Sequence, residues 1–320
     1  MKRVAVLRGG PSSEYDVSLK TGAEVLSALR TLDYPHKDIT ITKKGEWLDS
    51  GFVRSPEKAL EAVDVVFVAL HGEYGEDGQV QRILQRLKLP FTGSNALSSA
   101  IAFNKELAKQ SLKESGINMA RHRRLHRDEV LDMYSLVDSI VEEMGQELFI
   151  KPIAGGSSIG AKYVPHRDAL KPALEELFLN QEVLMIEEFI RGREATVGVL
   201  EGFRNESLYV LPAIEIVPPN GSPFFSYEVK YNGKTQEICP GRFSYHEKAK
   251  LTEAATKVHK ILNCDHYSRT DFIVRDGEVY FLEVNTLPGL TSESLFPKAA
   301  AAVGLEFKEL VRHLIETARV

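Results

Sequence analysis

The chain has 320 residues, 43% hydrophobic and 27% charged, values ordinary for a globular protein with no sign of disorder and long enough for two to three domains. Lys and Arg number 40 against 45 Asp and Glu, a formal charge of −5, which makes nucleic acid or an anionic membrane a poor partner. The two cysteines, Cys239 and Cys264, have no metal spacing and make no disulfide framework, and no signal-type or bilayer-length apolar run occurs, so a reducing, cytoplasmic setting is expected.

In chain order, residues 3–7 read as a buried strand ending at Gly9-Gly10, and residues 17–31 carry helical periodicity. Residues 63–70 (VDVVFVAL) are too apolar to alternate and predict a strand covered on both faces, as in a parallel sheet. HGEYGEDG follows, then a helix from Gln79 to Leu87. Strand, glycine loop and helix in succession predict a doubly wound α/β domain, drawn here as residues 1–99. Residues 104–116 and 127–144 look helical. ELFIKP and residues 160–164 look like strands flanking GGSSIG, giving a second unit over 100–182. From 183 to 320 strands dominate, with a helix around 246–262 and an amphipathic helix at 305–318, an antiparallel-rich α+β unit.

The sharpest local pattern is RTDFIVRDGEVYFLEVN at 269–285, two β-rich runs around Asp276-Gly277. A strict two-residue turn pairs Asp271 with Leu282 and sends Asp271 and Glu283 to opposite faces. A three-residue loop, Arg275-Asp276-Gly277, instead places Asp271 opposite Phe281 and gathers Arg269, Asp271, Glu283 and Asn285 on one face. Phe272, Val274, Tyr280 and Leu282 then fill the other. The odd-length loop is the expectation. Two carboxylates and an amide oxygen suit Mg²⁺, although a solvated polar strand face has the same composition.

The loops between strands are ambiguous taken singly. Gly155-Gly156-Ser157-Ser158-Ile159-Gly160 offers amides and hydroxyls to phosphate, yet Ala161 stands where a P-loop has lysine, and a plain hairpin turn is the competing reading. Gly9-Gly10-Pro11-Ser12-Ser13-Glu14 lacks the dinucleotide spacing, which discourages an NAD-dependent oxidoreductase. His71, Glu73, Glu76 and Asp77 crowd a loop at a strand's carboxyl end, a common ligand position, or merely cap the next helix. Thr286–Leu295 turns at Pro288-Gly289, with a helix expected to start at Thr291 or Ser292. That start could bind a carboxylate or only satisfy its own backbone donors.

Together, GGPSSEYDVSLKTG, HGEYGEDG, KPIAGGSSIG, EEFIRGRE, PAIEI, SYEVKY, RTDF and EVNTLPGLTSESLFP stand in the order of one family. The chain resembles the D-alanine–D-alanine ligases of the ATP-grasp superfamily from about residue 4 to its end. The resemblance implies an α/β fold: an N-terminal Rossmann-like (pre-ATP-grasp) domain and two α+β ATP-grasp subdomains clamping ATP. It implies two Mg²⁺, with Mn²⁺ a substitute, held by Asp271, Glu283 and Asn285. Lys105 and Lys151 would meet ATP phosphates, Glu187, Glu188 and Ile190 would lie at the adenine, and Glu194 at the ribose. Lys230 would neutralise the transferred phosphate. Glu14, Ser157 and Tyr231 would form a hydrogen-bonded triad ordering a lid, with segments 155–160 and 220–235 as lids. Arg269 and the Gly289 backbone would face the oxyanion, Ser294 and Leu295 the second substrate's carboxylate, and His71 the first substrate.

The implied activity is ATP-dependent joining of two D-alanines for peptidoglycan precursor synthesis, by a cytoplasmic homodimer. The alternatives are D-serine or D-lactate as second substrate, or a non-catalytic ATP-binding relative. The chain departs from the family pattern at three places: Asn104 for the usual Asp, Glu188 where many members have Lys, and Asp265-His266-Tyr267-Ser268 for a glycine-rich run before Arg269.

Overall fold

The computed structural model describes residues 1–155, 160–219 and 235–320. Ser157, Lys230 and Tyr231, and the greater part of both expected lids, lie outside the described residues. Among the described residues, three sheets organise the chain.

The first sheet has strand order β4-β3-β2-β1-β5, formed by β1 (Val4–Gly9), β2 (His36–Ile41), β3 (Trp47–Asp49), β4 (Phe52–Arg54) and β5 (Val65–Val68). β1 runs parallel to both β2 and β5. Val4–Leu7 and Val65–Val68 are buried throughout, which is why neither run alternates. The helix Tyr15–Thr31 lies against β1, and the C-terminal helix Phe307–Thr317 packs on that helix. The parallel centre meets the expectation. The antiparallel β3–β4 extension is too short for its alternation to register in the sequence.

The second sheet has order β7-β10-β8-β9, from β7 (His122–His126), β8 (Leu148–Pro152), β9 (Lys162–Val164) and β10 (Val183–Glu188), paired antiparallel. β10 belongs here, so this sheet crosses the division drawn at residue 182. Helices Met133–Met144 and Arg167–Leu177 bury Ile140, Leu170 and Leu174 on its inner face. The helix read over 127–144 begins instead at Met133, capped by Asp132, after a short 3-10 turn at Arg127–Glu129.

The third and largest sheet runs β14-β13-β11-β15-β16-β6, with β12 beside β11. Its strands are β6 (Asn118–Met119), β11 (Arg193–Glu201), β12 (Leu208–Val210), β13 (Ile214–Val217), β14 (Gln236–Ile238), β15 (Tyr267–Arg275) and β16 (Glu278–Asn285). The helix Tyr245–Ile261 covers one face through Leu251, Ala255 and Val258, against Phe272, Val274 and Phe281. The helices after β16 fold back: Phe296, Leu310 and Leu314 join the hydrophobic cluster of the first sheet. The two ends of the chain therefore share one core.

Candidate active site

The β15–β16 hairpin corrects one expectation and delivers another by a different route. Arg275 pairs with Glu278 across a two-residue turn in which Asp276 (φ 52°) and Gly277 (φ 77°) are both left-handed, the geometry of a type I′ turn. The three-residue loop is therefore wrong. The register instead shifts between Asp271 and Phe272, leaving Leu282 as an extra residue on β16. This bulge moves the ladder by one position, so Asp271 pairs directly with Glu283, and Arg269 with Asn285. All four residues share one face. Val279, Phe281 and Val284, with Phe272 and Val274, fill the buried face, in place of the expected Tyr280 and Leu282.

Arg269 holds Asp271 with two parallel bonds, Nε to Oδ1 at 3.0 Å and Nη2 to Oδ2 at 2.8 Å. Thr196, opposite Asp271 on β11, donates its hydroxyl to the same carboxylate. Burial disfavours a charged Arg269, but Asp271 outweighs it and raises its pKa. Burial likewise raises the Glu283 carboxyl, but Lys105, Lys151 and Arg269 outweigh it and leave it lowered.

A cavity of about 500 Å³ opens beside this face. Lys105, Lys151, Glu187, Glu188, Ile190, Glu194, Asp271 and Glu283 all line it, so every described residue assigned to ATP reaches one cleft with two of the assigned metal ligands. Lys105 Nζ lies 3.4 Å from Glu283 Oε2 and donates to the Gly155 carbonyl at 2.5 Å. Lys151 Nζ lies 2.7 Å from Glu187 Oε2, and Lys109 pairs with the other oxygen. Burial pushes the Glu187 carboxyl up, yet the two lysines win and hold it at about 2. Glu188 is fixed at the rim by Arg121, through a bond from Nε at 2.7 Å.

The loops of the first sheet meet the segment that follows β16. Ser12 donates to the His71 carbonyl at 2.7 Å, and a Cβ on Gly72 would stand 3.1 Å from Glu14 Oε2, so these loops touch. His71 is buried between Thr21 Oγ1 at 2.8 Å and the Leu287 carbonyl at 3.1 Å. The Leu287 amide in turn donates to Asn285 Oδ1 at 2.9 Å, which joins the loop after β5 to the end of β16. Glu76 closes that loop by accepting from the Gly72 amide, and its burial raises its carboxyl pKa. The next helix takes Gly78, in the left-handed region, as its N-cap, and Asp77 one residue earlier accepts from the Gln79 amide.

Gly289, Ser294 and Leu295 form a neighbouring group. The helix begins at Leu295 with Ser294 as its N-cap, not at Thr291 or Ser292. Ser294 makes no capping bond to its own helix; its hydroxyl accepts from the Thr291 amide at 3.0 Å. A Cβ on Gly289 would stand 2.8 Å from that hydroxyl and would force it to turn away. Phe296 packs edge-on to Tyr267, two residues before Arg269, and ties this group to β15.

Sequence reasoning missed Lys109, Thr196 and the Glu215–Arg242 pair, of which only Glu215 and Arg242 line the cleft. Only Lys109 left a signal, four residues after Lys105 on one helix face. The departures resolve structurally. Asn104 caps the helix Lys105–Leu112, accepting from the Glu106 and Leu107 amides as Asp would. His266 adopts a left-handed φ of 60°, and its ring reaches the Gly93 and Thr317 carbonyls.

Two largely antiparallel sheets facing each other across a cleft of lysines and carboxylates, behind a parallel α/β domain, define the ATP-grasp class of enzymes. The family described as "D-ala D-ala ligase C-terminus" matches residues 111–316, and its N-terminal counterpart matches 49–94. A D-alanine--D-alanine ligase of Syntrophobacter fumaroxidans is 41% identical over 98% of this chain and 97% of its own length. The structure of a Bacillus anthracis D-alanine--D-alanine ligase complexed with ATP aligns with a TM-score of 0.80 at 34% identity, covering 99% of this chain and 97% of that one. The VanG D-Ala:D-Ser ligase of Enterococcus faecalis aligns at 0.83 and 31% identity, covering 99% of both. The chain belongs to the D-alanine–D-alanine ligase family.

Proposed function

We propose that this enzyme uses ATP to join two D-alanines into D-alanyl-D-alanine through an acyl-phosphate, supplying peptidoglycan precursor synthesis. The observation that carries the reading is the cross-strand pairing of Asp271 with Glu283 in a cleft shared with Lys105 and Lys151.

A carboxylate resists nucleophiles because its charge is delocalised. Phosphorylation by ATP gives it a leaving group, and in-line phosphoryl transfer demands positioned positive charge. Lys105 and Lys151 would supply part of it, with Lys230 beside the transferred group. The adenine would lie against Glu187, Glu188 and Ile190, and the ribose against Glu194. Asp271, Glu283 and Asn285 fit magnesium, which takes one or two carboxylates and leaves its other positions to phosphate and water. Among the described residues no cluster of three or more acids, histidines or cysteines competes as a metal site. Bound there, magnesium or manganese would neutralise and orient the phosphates.

His71 would hold the first D-alanine, and Ser294 with the Leu295 amide the carboxylate of the second. The Ser294 hydroxyl is free of a cap and near the helix N-terminus, where an anion is favoured. Asp271 fixes the plane of the Arg269 guanidinium through Nε and Nη2, and Nη1, with the Gly289 amide, would face the oxyanion formed on amine attack. Glu14, Ser157 and Tyr231 would order the lid that keeps water from the acyl-phosphate. No helix among the described residues is long and apolar enough to cross a membrane. Cytoplasmic residence and a homodimer complete the proposal, and sedimentation of the purified protein checks the dimer.

A coupled ADP-release assay with D-alanine, L-alanine, D-serine and D-lactate tests the reading. ADP formation should rise with D-alanine and yield the dipeptide. Turnover indifferent to D-alanine would reject it, and faster turnover with D-serine or D-lactate would reassign the second substrate.

A further inference from the structure

Lys109 is almost fully buried, at 1% exposure, and does not line the cleft. It rises from the helix Lys105–Leu112, one turn beyond Lys105, and pairs with Glu187 Oε1. Lys151, reaching in from β8, pairs with Oε2 of the same carboxylate at 2.7 Å. Two cations therefore share one buried anion. Lys109, Lys151 and Glu187 sum to +1, an expensive arrangement for a protein interior unless one cation has a second use. Lys151 has one, because it lines the cleft and already lies in the field of Glu283 at the cleft's other wall. Lys109 has none.

We propose that Lys109 is a positioning residue that keeps Glu187 compensated while Lys151 leaves that carboxylate for a nucleotide phosphate. The proposal rests on the reading of Lys151 as a phosphate contact. With Lys109 in place, departure of Lys151 leaves a neutral Lys109–Glu187 pair. Without it, the same departure strands a bare buried carboxylate, so phosphate must compete with Glu187 for Lys151. The four-residue spacing from Lys105 serves the same end: one helix delivers a lysine to the cleft and a second beneath it.

The test is an equilibrium titration of wild type, K109M, K151M and K109M/K151M with ATP and with adenosine, which lacks phosphates. K109M should lose about 10- to 100-fold in ATP affinity and less than about threefold for adenosine, the scale set by an uncompensated buried charge. K151M should itself weaken ATP binding, and on that background, where no lysine leaves Glu187 for phosphate, adding K109M should change ATP affinity by less than about threefold. Unchanged ATP binding by K109M overturns the proposal, as does equal loss of ATP and adenosine, or a K109M loss that recurs in full on the K151M background. If K109M does not fold, K109Q replaces it and is read by the same outcomes. D-alanine-dependent turnover of the wild type reports separately on the ligase reading, so the two can fail independently.

Discussion

The two walls of the cleft handle carboxylates in opposite ways. On the four-stranded sheet, Glu187 is buried and both its oxygens are taken by lysines from within the protein. On the larger sheet, Glu283 keeps about a third of its side chain exposed, 34%, and meets Lys105 only at 3.4 Å. One wall is electrostatically closed; on the other Asp271 is already held by Arg269 and Thr196, and it is Glu283 that leaves the wall open to an incoming cation. Burial and pairing thus separate a carboxylate satisfied within the protein from one still exposed to the cleft, where residue type does not.

Substitutions should break this comparison in opposite directions. Glu187→Leu strands two buried ammonium groups and should cost about 3–5 kcal/mol of stability, read by denaturant unfolding. Arg269→Ala should lower kcat by roughly 10²–10³ by removing an oxyanion donor, with the fold intact by circular dichroism. Near wild-type turnover would reject that role. Glu283→Gln should lower turnover by about two orders of magnitude while shifting stability by only about 1 kcal/mol, since its carboxylate is partly exposed and only loosely paired. If stability falls as far as in Glu187→Leu, the open wall is not open.

Acid should sharpen the contrast. Glu187 is held at about 2 against an ordinary 4.5, so its ionised form is favoured in the folded state. A depressed carboxyl contributes stability that is full above the unfolded value and lost as pH falls toward the folded one. The difference in melting temperature between wild type and Glu187→Gln should therefore hold above pH 4.5 and shrink between there and about 2. A difference that grows on acidification would contradict the closed wall. The smallest effect belongs to Asn104: replacement by Asp should change stability by less than about 0.5 kcal/mol, because the two cap equally well, whereas Ala should cost about 1 kcal/mol.

How much of this was legible depended on the range of the interaction. The buried strands β1 and β5 announced themselves because covering both faces leaves no polar alternation. The convergence of Asp271 and Glu283 was legible as a face, but its cause was not. A bulge at Leu282 leaves no trace in composition, and the turn Asp276-Gly277 read equally well at two lengths. Thr196 could not be found at all, since its place beside Asp271 comes from cross-strand register between β11 and β15. His266 stands in the left-handed region with no glycine to mark it, held by carbonyls 173 and 51 residues away in sequence.

The open wall can be tested most directly by soaking crystals with manganese and a non-hydrolysable ATP analogue and collecting anomalous diffraction. Manganese peaks should lie within bonding distance of the Asp271, Glu283 and Asn285 oxygens, with the triphosphate toward Lys105 and Lys151. Nucleotide bound in the cleft with manganese elsewhere, or with those three side chains turned from it, would contradict the assignment.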